Sequence, residues 1–99
     1  MSNIKSSEKT RNAACLTDAS TALPQVPTEE FTIWSLAVRN KCNRVVNATV
    51  QWNGETPPVA TAPNTPVQVT FTVQPNATYQ SGQVLNIAIG YTPQMIVLA

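Results

Sequence analysis

The chain has 99 residues, of which 42% are hydrophobic and 11% are charged, and its formal net charge is +1. This length allows one domain with a small core, which buries roughly two-thirds of the surface that the unfolded chain exposes. The near-neutral balance excludes a general attraction to nucleic acid or to an anionic membrane, and no stretch approaches the roughly 20 apolar residues that span a bilayer.

Residues 1–30 differ in composition from the rest of the chain. Most of the charged residues lie here among Ser, Thr, Asn and Ala, and the apolar residues are isolated. Such a segment buries too little surface to offset its ordering entropy, so we predict a flexible, extended arm. Pro24 and Pro27 bias its end toward extended geometry. Leu23 and Val26, beside these prolines, are candidate contacts with another subunit.

A β domain is predicted over residues 31–99. Residues 31–38 carry apolar side chains on both faces, which indicates a strand buried on two sides or a central strand. Residues 44–52 alternate, and their apolar face carries Val46, Ala48, Val50 and Trp52. These two strands are predicted to form a hairpin.

Turn signals follow the second strand. The Asn53-Gly54 pair suits a tight hairpin turn, and the prolines between residues 57 and 66 leave room only for a short edge strand or an extended loop. Residues 67–74 form the clearest strand, because apolar and uncharged polar residues alternate without exception. Its inward face carries Val67, Val69, Phe71 and Val73. Residues 74–82 contain two further turn signals.

The last strands complete the predicted domain. Residues 83–90 place Leu85, Ile87 and Ile89 inward, and Tyr91 continues that face. The chain ends in an apolar segment with four candidate subunit contacts, namely Met95, Ile96, Val97 and Leu98. The fold class is therefore all-β: a small β-sandwich or barrel of five to six strands with an extended N-terminal arm, and no segment carries a clear helical pattern.

Trp34 is the aromatic residue that we expect to meet another chain. It lies on the face of its strand opposite Phe31 and Ile33. The other aromatic residues of the alternating strands, Trp52 and Phe71, belong to the core by pattern. A row of aromatic faces would also suit a sugar-binding surface.

The two cysteines, Cys15 and Cys42, are predicted to be reduced. They could close one long loop, but residues 1–7 lack the apolar run of a signal peptide, which favours a cytosol-like compartment and free thiols. Two Asn-x-Thr sequons, at Asn47 and Asn76, would accept glycans only in a secreted eukaryotic protein. In a chain rich in Asn and Thr, chance accounts for them.

The residues offer little for catalysis. The chain has no histidine, so the commonest general base and the usual transition-metal ligand are absent. A two-carboxylate hydrolase needs two acids held rigidly at a fixed separation, whereas most of the carboxylates lie in or beside the predicted arm. Cys42 has cationic neighbours that favour a thiolate, but it lacks a base. We predict no enzyme, no cofactor and no metal.

Arg39, Lys41 and Arg44 form the only basic cluster in the predicted β domain. Three interpretations remain open for these candidate charged contacts: they contact phosphate, they form a solvated loop, or they pair with Glu29 or Glu30 of a neighbouring subunit. Nucleic-acid binders usually spread a larger basic footprint, so nucleic acid is not an expected partner.

Residues 56–99 contain no Asp, Glu, Lys, Arg or His. A soluble monomer normally scatters charges over exposed strand faces and edges, and these charges prevent strand-to-strand association. We therefore expect other subunits to cover this stretch, in an intertwined homotrimer or in a shared sheet.

This layout, a mobile arm over residues 1–28 before a compact β domain that ends in an apolar strand over residues 94–99, resembles the small head-decoration, or cement, proteins of tailed bacteriophages. The resemblance implies a homotrimer that is made in the host cytoplasm, binds the capsid exterior and clamps major capsid subunits. The alternative is a small β-sandwich binding module, for carbohydrate or protein, of a fibre or adhesin. A thiol-dependent enzyme centred on Cys42 is a third hypothesis.

Overall fold

The computed structural model describes residues 4–53 and 66–99, which form one helix and seven strands. In chain order these are α1 (Ile4–Cys15), β1 (Leu16–Asp18), β2 (Thr21–Ala22), β3 (Phe31–Asn40), β4 (Val46–Asn53), β5 (Val67–Val73), β6 (Thr78–Ala88) and β7 (Gln94–Val97). The chain is mostly β, as the alternation predicts. No helix among the described residues has the length and apolar character to cross a membrane.

The strands form two antiparallel sheets. In the first sheet β3 is central, with β6 on one side and the short strands β1 and β2 on the other. In the second sheet β4 is central, between β5 and β7. The prediction of a central strand over residues 31–38 is therefore confirmed, and the two sheets are compatible with a β-sandwich.

One hydrophobic core contains residues from both sheets. The inward face of β4, predicted from its alternation, is buried at all four positions, and Trp52 is fully buried. Phe71 and Val73 of β5 are buried, while Val67 and Val69 pack half-buried against the same core. Alternation predicted these strands well because each has one face in the core and one in solvent.

The predicted hairpin between β3 and β4 is wrong, because the two strands belong to different sheets. The chain crosses between the sheets in residues 41–45, and the fully buried Asn40 holds this crossover in place. Its Nδ2 donates to the carbonyl oxygens of Arg44 (2.7 Å) and Gln74 (3.1 Å), and its Oδ1 accepts from the Cys42 N–H (3.0 Å).

β6 begins earlier than predicted, within residues expected to turn. Gly82 has a φ of +74°, and the pairing of β3 with β6 shifts register between Ser35 and Ala37. The Ser81 hydroxyl donates to the Leu36 carbonyl oxygen (2.6 Å) beside this shift. The Ser-Gly pair therefore produces a bulge inside a long strand instead of a turn.

The inward face predicted for residues 83–90 is correct only in part. Leu85 and Ile87 are buried, whereas Ile89 is 56% exposed and Tyr91 is 57% exposed. The alternation stops because β6 ends at Ala88, where the Tyr91 N–H donates to the Ala88 carbonyl oxygen (3.1 Å) in a turn. The turn predicted at Asn53-Gly54 and the proline-rich loop after it involve residues 54–65, which lie outside the described residues.

The N-terminal segment contains structure that composition did not indicate. α1 lies against β4, where the buried Asn12 donates from Nδ2 to the Asn47 carbonyl oxygen (3.0 Å). β1 and β2 then pair with β3, and Cys15 and Leu16 belong to the hydrophobic core. The division of the chain into an arm over residues 1–30 and a β domain over residues 31–99 stays a prediction.

Cys15 and Cys42 form a disulfide across 27 residues, with their Cα atoms 5.3 Å apart. The prediction of reduced thiols is therefore wrong. The end of α1 meets the crossover loop at this point, because the Lys41 N–H donates to the Cys15 carbonyl oxygen (2.9 Å).

Candidate functional site

The charge-free part of the chain supplies three of the edge strands. Among the strands of residues 4–53 and 66–99, β5 and β7 are the two edges of the second sheet, and β6 is one edge of the first. The other edge of the first sheet consists of the short strands β1 and β2, and it contains a charge at Asp18. The described part of residues 56–99 thus lies where a sheet can accept a further strand.

The outer face of the second sheet is an uncharged polar ladder. Its cross-strand pairs are Asn47–Thr72, Thr49–Thr70, Gln51–Gln68 and Asn53–Gln94. The hydroxyls of Thr49 and Thr70 lie 2.9 Å apart, and the Thr72 hydroxyl donates to Asn47 Oδ1. Ile96 adds an exposed apolar side chain beside Gln51. This face offers many hydrogen-bonding groups and no charge.

The outer face of the first sheet carries an apolar group, which we call the outer apolar patch: Leu23, Phe31, Ile33 and Val84. Ile33 and Leu23 are opposite each other, because the Leu23 N–H donates to the Ile33 carbonyl oxygen (2.8 Å). Val84 of β6 pairs with Ser35, the next residue after Ile33 on the same face of β3. The Val84 side chain is 53% exposed. Phe31 and Ile33 are half-buried. The patch reaches the edge strand β6.

The candidate subunit contacts separate into two groups. The first group is on the surface, with Leu23 41%, Val26 47%, Ile96 44% and Leu98 38% exposed. The second group, Trp34, Met95 and Val97, is half-buried and packs against the core of its own subunit. Contact of either group with another chain stays a prediction, although the exposed group has more surface to offer.

Trp34 lies on the inner side of β3. It shares this side with Leu36 and Val38, which are both fully buried, so its main packing partner is the core of the same chain. Its Nε1 is buried and has no hydrogen-bond partner among the residues that the structure describes. The side chain thus has one polar atom that is not satisfied within its own subunit.

The candidate charged contacts lie at one end of β3. Arg39 and Lys41 are exposed, and Arg44 is half-buried, with an Nη2 atom that lacks a hydrogen-bond partner within residues 4–53 and 66–99. Glu29 and Glu30 precede the other end of β3, whose 10 residues span roughly 30 Å. A salt bridge between the two groups therefore requires a second subunit; phosphate contact and a solvated loop remain open as well.

The disulfide removes the thiol that a Cys42-centred reaction requires, and no cysteine of the described residues is free. No three metal-binding side chains of His, Cys, Asp or Glu type come together within the described part of the chain. That the chain is not an enzyme stays a prediction.

A small cleft of about 220 Å³ lies between α1, β4 and the end of the chain. Its polar lining consists of Glu8, Asn12, Asn47, Thr49 and Thr70. Asn12 is buried and held by its bond to the Asn47 carbonyl oxygen. Sequence reasoning missed this cleft because α1, which supplies two of the lining residues, was not predicted.

No protein-family model, curated protein or solved structure matches this chain. The phage-decoration resemblance therefore stays a resemblance of layout.

Proposed function

We propose that this chain is a non-enzymatic structural subunit of a virion, of the decoration or cement type. One observation carries the proposal: three edge strands, β5, β6 and β7, contain no charged residue. In this function the subunit stabilises a shell by buried contacts, and its uncharged strands are covered by other subunits.

Strand edges need protection against unwanted pairing with other chains. An edge strand presents unpaired N–H and C=O groups, and natural proteins guard it with Lys, Pro, a β-bulge, short length or a covering segment. β5 has seven residues and β6 has eleven, and neither contains a charge or a proline, although β6 has one bulge at Ser81-Gly82. Exposed apolar side chains lie at Val84 in β6, at Ile96 in β7 and at Leu98 directly after β7. Coverage by further subunits accounts for both features at once.

The proposed partners are further copies of this chain and a major capsid protein. The resemblance implies a homotrimer on the capsid exterior, assembled from chains made in the host cytoplasm. The Cys15–Cys42 disulfide supports a final location on a particle surface, because disulfides persist on virion exteriors and are rare in the reducing cytosol.

Native mass spectrometry and sedimentation velocity of the purified, oxidised protein test the proposal. We expect a stable homo-oligomer at micromolar concentration, and protection of the β5–β7 segments from a protease that cleaves the monomer. A monomer at all concentrations up to about 100 µM would contradict the proposal, because the uncharged edges would then need no cover.

The second candidate function is a carbohydrate-binding module of a fibre or adhesin, and the polar cleft favours it. Carboxylate, amide and hydroxyl groups together match the donors and acceptors of a sugar. The cleft volume of about 220 Å³ lies below the roughly 300–1,000 Å³ of drug-sized ligand sites, so a single monosaccharide unit is the largest ligand expected.

Saturation-transfer NMR with a panel of monosaccharides tests this second candidate. Thr70→Ala removes a lining hydroxyl and is expected to abolish the signal, while Thr78→Ala, at an exposed position outside the cleft, is expected to retain it. Absence of any signal from the native protein would reject the module.

A further inference from the structure

β6 is the longest strand of the described chain, with 11 residues, and it pairs with one strand only, β3. No residue of β6 is charged and none is proline. Because the edges of such strands readily pair with other strands, β6 is the first place to look for a protein partner.

The backbone of β6 has a defined outward side. The Ile33 carbonyl oxygen accepts from the Leu23 N–H, so the polar backbone groups of Ile33 point away from β6. Ile33 is opposite Asn86, and this pair is therefore a non-hydrogen-bonded pair of the antiparallel ladder. It follows from the alternation that the N–H and C=O groups of Asn86 and Val84 point outward from the sheet edge.

We propose that β6 pairs in antiparallel orientation with β6 of a second copy of this chain, so that the two first sheets become one continuous sheet. The outward N–H and C=O groups of Val84 and Asn86 form the new hydrogen bonds. This inference rests on the self-assembly in the proposed function and deepens it. It gives a two-fold dimer, whereas the resemblance implies a trimer.

Charge complementarity supports a second copy in this orientation. Glu29 and Glu30 lie beside the C-terminal end of β6, because the Ile89 N–H donates to the Glu30 carbonyl oxygen. Arg39 lies opposite Thr78, at the N-terminal end of β6, and Lys41 follows it. Antiparallel pairing brings the acidic end of each copy to the basic end of the other.

With full overlap of the two strands, Ala88 lies opposite Thr78 of the second copy, the two-fold axis passes through Gln83, and the Ser81-Gly82 bulge of each copy adjoins Val84 of the other. The acidic and basic ends are then separated by three strand spacings, roughly 14 Å between backbones. Long Glu, Arg and Lys side chains shorten this separation, so the attraction persists at low ionic strength and is screened at high salt. Parallel pairing would instead place like charges together.

The outer apolar patch is continuous with the proposed interface. Val84 is the exposed residue of the patch on β6. The outward N–H and C=O groups of Val84 belong to the β6 edge that pairs with the second copy. In the dimer the two patches lie on the same face of one sheet and meet at the two Val84 side chains. Pairing therefore covers part of the apolar surface that a monomer leaves in water.

The other edges fit this pairing less well. β7 has four residues, and β1 and β2 have three and two residues and are interrupted by Ala19 and Ser20. β5 is the closest rival, with seven uncharged residues. The experiment must therefore separate β6 from β5.

The test compares Val84→Lys with Gln68→Lys by sedimentation velocity. Both positions are exposed, lie on outer sheet faces and belong to uncharged edge strands, β6 and β5. We expect a dimer for the native chain and for Gln68→Lys. Val84→Lys should weaken the dimer by roughly tenfold or more, because two-fold symmetry places the added charges close together.

Amide hydrogen exchange identifies the hydrogen bonds directly. The N–H groups of Val84 and Asn86 should be protected in the dimer and should exchange quickly in monomeric Val84→Lys. The N–H groups of Leu85 and Ile87 point toward β3, so their protection in both proteins reports that the variant is folded. If Val84→Lys loses this protection, Asn86→Lys provides the second outward position for the same comparison.

Each outcome has one interpretation. A trimer, a dimer that resists charge at both β6 positions, or a dimer broken by Gln68→Lys overturns the β6 pairing and leaves the proposed structural function in place. A native chain that stays monomeric overturns both. Dimerisation that depends on Val84, with protected Val84 and Asn86 amides, supports the pairing.

Discussion

The indole Nε1 of Trp52 donates a hydrogen bond of 3.1 Å to Oδ1 of Asp18. Trp52 is fully buried in β4 of the second sheet, whereas Asp18 belongs to β1 and pairs opposite Val38 of the first sheet. The same carboxylate oxygen accepts from the N–H and the hydroxyl of Ser20. One carboxylate thus connects the N-terminal segment to the core of both sheets.

Asp18→Ala should lower the free energy of unfolding by about 1–2 kcal/mol, because it leaves the buried indole N–H without an acceptor. Urea denaturation followed by tryptophan fluorescence measures the change. Asp18→Asn keeps an acceptor oxygen and is expected to lose less than half as much. Thr17→Ala, at the exposed neighbouring position, is the matched control. Equal stability of all four proteins would show that the bond does not contribute.

Removing the disulfide with Cys15→Ala and Cys42→Ala should destabilise the fold by about 3.5 kcal/mol, the chain-entropy value for a loop of this length. Thermal unfolding of the double variant, compared with the native chain before and after reduction, measures it. Reduction should lower the melting temperature of the native chain and leave that of the double variant unchanged. A native chain unaffected by reductant would indicate that its cysteines are not bridged in solution.

Alternation in the sequence predicted the strands whose two faces differ. The inward positions of β4 and β5 were correct, because each strand has one face in the core and one in solvent. The candidate assembly surface was indicated by the lack of charge over residues 56–99, which is visible in the sequence. The sequence could not predict that this stretch supplies edge strands, because the order of strands in a sheet depends on contacts between distant parts of the chain.

The errors involve residues whose roles depend on distant partners. The hairpin prediction failed because Asn40 directs the chain into the other sheet through bonds to Arg44 and Gln74. α1 was not predicted because its sequence is polar and shows no apolar face. The α1 side chain that is buried against β4 is an amide, Asn12, which donates a hydrogen bond to the Asn47 carbonyl oxygen. No local pattern distinguishes such an asparagine from one in a solvated turn.

Asn40→Ala should lower the free energy of unfolding by roughly 2–4 kcal/mol, since it leaves several buried backbone groups without a partner. Asn43→Ala is the matched control. Asn43 is exposed and accepts from Asn76 Nδ2 (2.7 Å), so its loss should cost less than about 1 kcal/mol. Denaturant unfolding compares the two; similar losses would contradict the role assigned to Asn40.

Deletion of residues 1–28 separates the arm hypothesis from the packing seen in the structure. A separable arm predicts that the shortened chain still folds and assembles but no longer binds a shell. The structure leads us to expect loss of cooperative unfolding, because the deletion removes Cys15 and Leu16 from the core and leaves one side of β3 without its paired strands. Circular dichroism during thermal unfolding decides between the two.

Leu16→Ala gives a graded version of the same test in the full-length chain. Leu16 is 5% exposed within the core, so its truncation should cost roughly 2–4 kcal/mol. Leu23→Ala, at 41% exposure, should cost less than about 0.5 kcal/mol. If both variants unfold at the native denaturant concentration, the N-terminal segment does not contribute to the core and the arm hypothesis stands. A large loss for Leu16→Ala alone shows that the core begins before residue 31.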